Sequence, residues 1–394
     1  MRLLMTADAV GGVWSYALEL AEALEPHGVE VALAVMGPAP SAAQRSAASE
    51  LANVTLHEGP YRLEWMDDPW ADVARAGEWL LALERELRPD VVHLNGYTHG
   101  ALPWRAPAVI VAHSCVLSWW RAVKGEPAPA QWARYRREVA RGVAGASLLV
   151  APTRAMLDEV EAHYGAPAHG RVIPNGRDRR RFMPGRKEPF VLSAGRVWDQ
   201  AKNVAALGAV AGRLPWPVYV AGDDTSPDGA RVGGAVVDRL RLLGRLSVDA
   251  MADWLGRATI FALPARYEPF GLSALEAALA GCALVLGDIP SLREVWGDAA
   301  TFVPPEDADA LAAAITSLAT EPARPAAMAE RARRRALRYS PERMAADYLA
   351  AYESASSPSG RGGPPPNINV GPTGPWSVTD PSPPESESRG AALA

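Results

Sequence analysis

Two carboxylates, Glu268 and Glu276, flank the segment Glu268-Pro-Phe-Gly-Leu-Ser-Ala-Leu-Glu276. The segment follows an apolar run, Ile260–Leu263, that reads as a strand. Pro269 and Gly271 keep its first half irregular, and a helix is expected to begin near Ser273. The amides of Phe270, Gly271 and Leu272 would then project from a helix N-terminus, where phosphate binds well. Carboxylates set against phosphate would repel it, so Glu268 and Glu276 suit hydroxyl groups beside that anion. The spacing also permits a second reading. Ser273-x-x-Glu276 matches a capping box, in which Glu276 only completes a helix start. Spacing alone leaves both open.

Three further features lie at expected strand ends, where open α/β sheets bind ligands. Gly195-Arg196 closes the strand Phe190–Ala194, and Lys202 follows. Two fixed cations there suit a diphosphate, at roughly 1.5–3 kcal/mol per charge-assisted hydrogen bond. Taken alone they would equally be solvated surface charges. Gly11-Gly12 sits between the first strand and first helix, where paired glycines let a ligand approach the backbone or simply make a tight turn. His113 closes the strand Val109–Ala112, and either a site role or a structural role fits its position. His93 and His99 flank a similar strand end in a less telling context.

These residues need a scaffold, and the chain alternates accordingly. Arg2–Thr6, Glu30–Val35, Val91–Leu94, Val109–Ala112 and Leu148–Ala151 read as strands, with a helix at Val13–Leu24 and helical stretches between the others. The pattern restarts near residue 185 with strands Phe190–Ala194 and Val218–Ala221 around a helix at Val204–Leu214. Strands at Ile260–Leu263, Ala283–Leu286 and Thr301–Val303 follow. Short apolar runs separated by amphipathic segments indicate parallel sheets with crossover helices. Two Rossmann-like, doubly wound α/β domains are expected, over residues 1–183 and 184–338; the family resemblance drawn below implies that they face a cleft. The polar stretch from Arg177 to Lys187 suits a linker between them. Ser340 is the expected N-cap of a last helix, Pro341–Tyr352, within residues 339–355. Residues 356–394 are rich in Pro, Gly and Ser and are expected to be a disordered tail.

Of 394 residues, 48% are hydrophobic and 22% charged, as in a packed globular protein. The net charge of −5 gives no protein-wide attraction to nucleic acid. Two cysteines, Cys115 and Cys282, make neither a disulfide framework nor a zinc site. Met1-Arg-Leu-Leu-Met-Thr-Ala-Asp reaches a polar residue too soon for a signal peptide's apolar core, and no apolar run is long enough to span a bilayer. A cytoplasmic protein, soluble or at most peripheral, is expected. Trp119, Trp120, Arg121, Lys124 and the arginines from 134 to 141 admit peripheral membrane contact. An acceptor wall beside a solvated, arginine-rich helix face accounts for them better.

Together these segments resemble the retaining glycosyltransferases of family 4, which have the GT-B fold. Glu268 and Glu276 match its Glu-x7-Glu motif, with Phe270-Gly271 inside. Arg196 and Lys202 match the strand-end arginine and following lysine, Gly11-Gly12 the early glycine-rich turn, and His113 the histidine of the N-terminal domain. Pro174-Asn-Gly-Arg-Asp178 matches the interdomain signature, with Phe182 in step. The resemblance spans about residues 1–355. It implies that Glu276 holds the donor's ribose hydroxyls and Glu268 contacts the transferred sugar. Arg196, Lys202 and the amides of Phe270–Leu272 would bind the diphosphate. His113 would reach the sugar from the other domain, and Gly12 would lie near the phosphates or the attacking hydroxyl. The last helix would cross back onto the N-terminal domain.

Three departures stand out: the five residues between Arg196 and Lys202, Arg177 in place of a small apolar residue, and Asp288-Ile-Pro-Ser in place of a glycine-rich turn. No convincing Asp-x-Asp metal motif is present, since Asp223-Asp224 reads as a turn, and no metal or other cofactor is expected. The partners implied are a nucleotide sugar and a hydroxyl acceptor. Other nucleotide-sugar enzymes of this fold (epimerase or phosphorylase) and a catalytically silent scaffold remain alternatives. A nicotinamide dehydrogenase is weakened by the missing Gly-x-Gly-x-x-Gly fingerprint.

Overall fold

The apolar runs become the inner strands of two parallel sheets. The computed structural model describes residues 1–225, 239–321 and 323–357. The first sheet contains β1 (Arg2–Asp8), β2 (Glu30–Met36), β3 (Val54–Glu58), β4 (Val91–Leu94), β5 (Ala108–Val111), β6 (Leu148–Ala151) and β7 (Gly170–Val172), in the order β3-β2-β1-β4-β5-β6-β7. The second contains β8 (Glu188–Ala194), β9 (Val218–Ala221), β10 (Arg241–Gly244), β11 (Ala258–Leu263), β12 (Ala283–Gly287) and β13 (Thr301–Val303), in the order β10-β9-β8-β11-β12-β13. Every pairing is parallel.

Burial explains which strands the sequence announces. Every residue of β4, β5, β6 and β12 is buried, so these strands read as unbroken apolar runs. The three strands that the sequence reading omits, β3, β7 and β10, each lie at a sheet edge and carry exposed residues. Their backbones pair on one side only and their side chains need not be apolar. The helix expected over Val204–Leu214 ends at Ala211.

In each sheet the chain winds outward in both directions from a central pair. The strand order reverses between β1 and β4 in the first sheet and between β8 and β11 in the second. The carboxyl ends of such pairs open a crevice, since the following connections leave toward opposite faces. Asp8, Gly11, Gly12 and Asn95 follow the first pair. Gly195, Arg196 and Glu268 follow the second.

The last helix runs from Pro341 to Ser356, with the Ser340 side chain capping the amide of Arg343. It buries Met344, Ala345, Tyr348, Ala351 and Tyr352 among Leu3, Tyr16 and Leu20 of the first unit. Ser356, the expected start of the tail, thus ends this helix, and from residue 358 onward the tail lies outside the described residues. The stretch expected as a polar linker is not solvated throughout, because Arg177 and Phe182 are both buried.

Gly176, where the chain leaves the first unit, packs against Ser340, where it returns. A Cβ there would stand 2.4 Å from the carbonyl oxygen of Ser340, and a backbone atom cannot rotate away. Gly176→Ala should therefore destabilise the protein by about 1–3 kcal/mol, the usual cost of overpacking. A urea-unfolding midpoint equal to wild type would contradict this crossing.

Candidate functional site

The two crevices face each other across one cavity of about 430 Å³. Its walls include Asp8, Gly11, Gly12, Asn95 and His113 from the first unit, and Arg196, Lys202, Glu268 and Glu276 from the second.

On the second side, Gly271 takes φ +89° and leads into the helix Leu272–Leu279. The helix thus starts one residue before Ser273, and no side chain caps it. This excludes the capping box. Glu276 is the fifth helical residue, beyond reach of a cap. The Gly271 amide donates to Oε1 of Glu268 at 3.0 Å, so it does not project freely as the sequence led us to expect. The amides of Phe270 and Leu272 remain without an acceptor among the described residues. Phe270 turns its ring inward, 2% exposed, and perpendicular to the Tyr339 ring.

Lys202 donates to the other oxygen of Glu268 at 2.7 Å. Arg196 donates to Oδ2 of Asp199 at 2.8 Å and lies over the Trp198 ring. The five-residue spacing between these cations accommodates a short 3-10 turn, Gln200–Lys202, capped by Asp199. Oδ1 of Asp199 also accepts from the Trp119 indole at 3.2 Å, which ties the cation loop to the first unit. Asp288-Ile-Pro-Ser has a role too, because the Ser291 hydroxyl donates to the Glu268 carbonyl at 2.6 Å.

Glu276 has a partner that the sequence flagged only as a departure. Arg177 Nε donates to its Oε1 at 2.8 Å, and Nη2 reaches the same oxygen. Nη1 donates to Oε2 of Glu19, in the first helix Gly12–Leu24, at 2.7 Å. Burial opposes the charge of Arg177, but Glu276 and Glu19 hold its pKa above the ordinary value. Burial pushes Glu19 up, opposed by Arg177 and by the Asp178 amide.

On the first side, a Cβ on Gly11 would lie 3.4 Å from Arg196 Nη1, and one on Gly12 would lie 3.6 Å from Leu272. The glycine turn therefore packs directly against the cation and the helix start. Burial raises the pKa of Asp8, while the Val10 amide and Arg196 oppose the shift. Asn95 donates through Nδ2 to the Thr6 carbonyl at 2.6 Å, so its Oδ1 must point the other way. That oxygen meets Nε2 of His113 at 2.8 Å and Nε2 of His93 at 3.2 Å. A carbonyl only accepts, so both histidines carry their proton on Nε2, and His113 keeps Nδ1 as an acceptor. Nδ1 of His93 in turn accepts from the Tyr352 hydroxyl of the last helix at 2.7 Å. His99 lies apart from this network and bonds the Val73 carbonyl.

Further contacts hold the two walls together. Thr153 donates to the Pro269 carbonyl, and Glu294 accepts from the amides of Arg154 and Ala155. Tyr267 meets Ser118 at 2.9 Å. Trp119 and Trp120, read as possible membrane aromatics, are each 7% exposed and pack into the core. No described helix is long and apolar enough to cross a membrane. Asp223 forms a turn, accepting from the Thr225 amide.

Glu268, Glu276, Arg196, Lys202, Gly12 and His113, singled out from their types and spacing, all line the cavity. Asp8, Glu19, Asn95, Asp199 and Ser291, which hold or adjoin them, were not singled out as site residues. For Asp8 and Asn95 a signal existed, since each closes a strand at the switch point.

A family model described as Glycosyltransferase Family 4 matches residues 10–181, and one described as Glycosyl transferases group 1 matches residues 177–335. A D-inositol 3-phosphate glycosyltransferase from Geodermatophilus obscurus is 28% identical, the match covering 89% of this chain and 86% of the relative. Among solved structures, sucrose-phosphate synthase from Thermosynechococcus elongatus superposes with TM-score 0.73 at 20% identity, covering 90% of this chain and 98% of that one. Anabaena HepE, solved in complex with UDP-glucose, superposes with TM-score 0.71 at 17% identity, covering 90% and 100%.

Burial lowers the pKa of His93 to about 4, and burial together with the His93 charge lowers that of His113 to about 3. Both are neutral when folded but take up protons below about 6.5 when unfolded. Their stabilisation is present above pH 6.5 and is lost as pH falls toward 4. The expected slope is up to ~1.4 kcal/mol per pH unit for each histidine. Urea midpoints measured from pH 7 to 5 should fall, and less steeply in His93→Gln. A flat profile would contradict the neutral pair.

Proposed function

Because the chain belongs to the family 4 glycosyltransferases and has the GT-B fold, we propose that it is a retaining, metal-independent enzyme moving a sugar from a nucleoside diphosphate sugar to a hydroxyl acceptor. One observation carries this reading. Two cations, two carboxylates and a helix N-terminus converge at one switch point and face a neutral histidine and a glycine turn across the cleft.

A donor diphosphate fits between Arg196, Lys202 and the amides of Phe270 and Leu272. Its ribose would take Glu276, and the sugar would lie between Glu268 and His113. HepE, of the same fold, was solved with UDP-glucose, which supports a nucleotide sugar here. One relative is named for D-inositol 3-phosphate and a protein of the same fold for making sucrose phosphate, so only a hydroxyl acceptor is assigned here.

The reaction breaks the bond from the anomeric carbon to the phosphate oxygen and forms one to the acceptor oxygen on the same face. The acceptor proton passes to the departing phosphate. Glu268 is committed to Lys202 and to the Gly271 amide, which suits holding a hydroxyl better than attacking carbon. Arg196 and Lys202 stabilise the charge that grows on the diphosphate, which makes a metal unnecessary. Neutral His113 can accept a sugar hydroxyl through Nδ1. The enzyme is placed in the cytoplasm, as its sequence led us to expect.

UDP-, GDP- and ADP-sugars should be tested by thermal shift. The matching donor at one hundred times its Kd should stabilise the fold by about 2.7 kcal/mol. No shift with any donor or free nucleoside diphosphate would refute the pocket. Lys202→Ala should lower kcat by about 10- to 100-fold, the effect of losing one charge-assisted contact. Glu276→Ala should mainly raise the donor KM. Excess EDTA should leave turnover unchanged, and a loss reversed by a divalent cation would contradict metal independence.

A further inference from the structure

Arg177 is buried, 7% exposed, where the family signature has a small apolar residue. Its guanidinium lies over Phe182, with Cζ 5.2 Å from the ring centroid, which fixes its plane. Two of its N–H groups converge on one oxygen of Glu276, Oε1, while the third nitrogen holds Glu19. Glu19 is 4% exposed and is itself held by the Asp178 amide at 2.6 Å. A rotation of the Glu276 carboxyl would therefore break two hydrogen bonds at once. Oε2 of Glu276 has no hydrogen-bond partner among the described residues, and Glu276 lines the cavity.

We propose that Arg177 is a positioning residue for donor recognition, which occupies Oε1 of Glu276 so that the donor ribose is read through Oε2 alone. This rests on Glu276 binding the ribose, as argued above. A free carboxylate can accept from both vicinal hydroxyls, one on each oxygen. A carboxylate with one oxygen committed to a guanidinium offers a single strong acceptor, so one ribose hydroxyl dominates. Glu19 belongs to the first unit, so a residue across the cleft sets the hydroxyl specificity of the second.

The alternative is that Arg177 only neutralises the buried Glu19 and the half-buried Glu276. Deoxynucleotides separate the two. The nucleoside diphosphate that binds best (UDP, GDP or ADP) should be titrated calorimetrically beside its 2′-deoxy and 3′-deoxy analogues. With wild type, one analogue should bind about tenfold or more weakly, the loss of one charge-assisted hydrogen bond. The other should stay within about threefold, since its missing hydroxyl meets no charged acceptor. Arg177→Val combined with Glu19→Gln removes the guanidinium without leaving Glu19 as an unpaired buried charge. The two analogues should then fall within about threefold of each other, because both carboxylate oxygens are free. Arg177→Lys, which cannot direct two N–H groups from one plane, should reduce the asymmetry and serves if the double variant does not fold. Equal penalties for both analogues in wild type, or an unchanged asymmetry in the variants, would overturn this assignment alone. Absence of binding by any nucleoside diphosphate would overturn the ribose reading and this one with it.

Discussion

A guanidinium buried where two sheets meet must be matched by carboxylates, because an unpaired charge there would cost several kcal/mol. Arg177 satisfies this by joining Glu19 of the first helix to Glu276 of the helix Leu272–Leu279. The Arg177 amide donates to the Tyr339 carbonyl, just before the last helix returns to the first unit. The crossing chain, the helix Leu272–Leu279 and the helix that follows the glycine turn are thereby fixed at one point. The rest of the cleft takes its geometry from that junction.

The cations of the cleft are also balanced locally. Lys202 pairs with Glu268 and Arg196 with Asp199, while Asp8 stands close enough to Arg196 to be affected by its charge. Such partners keep the cations oriented within the cavity. Under the proposed function, a diphosphate, with more negative charge than one carboxylate, would replace these contacts. This is the preorganisation that makes fixed dipoles and charges effective. The histidine pair follows a different rule, since burial keeps both rings neutral and Asn95 fixes their tautomers.

Much of this was legible in the sequence, and the limits have physical causes. Inner strands such as β4 and β12 are buried on both faces and announce themselves as apolar runs, whereas the edge strands β3, β7 and β10 do not. Glu268, Arg196 and Lys202 were legible because they follow strands at a switch point. Glu276 was ambiguous because a capping box and a ligand contact share one spacing, and the helix start at Leu272 removes the capping box. Arg177 looked like part of a polar linker, because nothing in sequence spacing reveals partners 158 and 99 residues away. The place of Asn95 at a strand end was legible, but its contacts with Thr6 and His113 were not, since they depend on β1 and β5 lying on either side of β4.

The central claim is that the donor's diphosphate lies between Arg196 and Lys202, with its ribose on Glu276. A crystal structure of the protein with the nucleoside diphosphate that stabilises it most would test this directly. Phosphate oxygens are expected within hydrogen-bond distance of both cations, with a ribose hydroxyl on Oε2 of Glu276. A nucleotide bound elsewhere, or one whose ribose faces away from Glu276, would contradict the account.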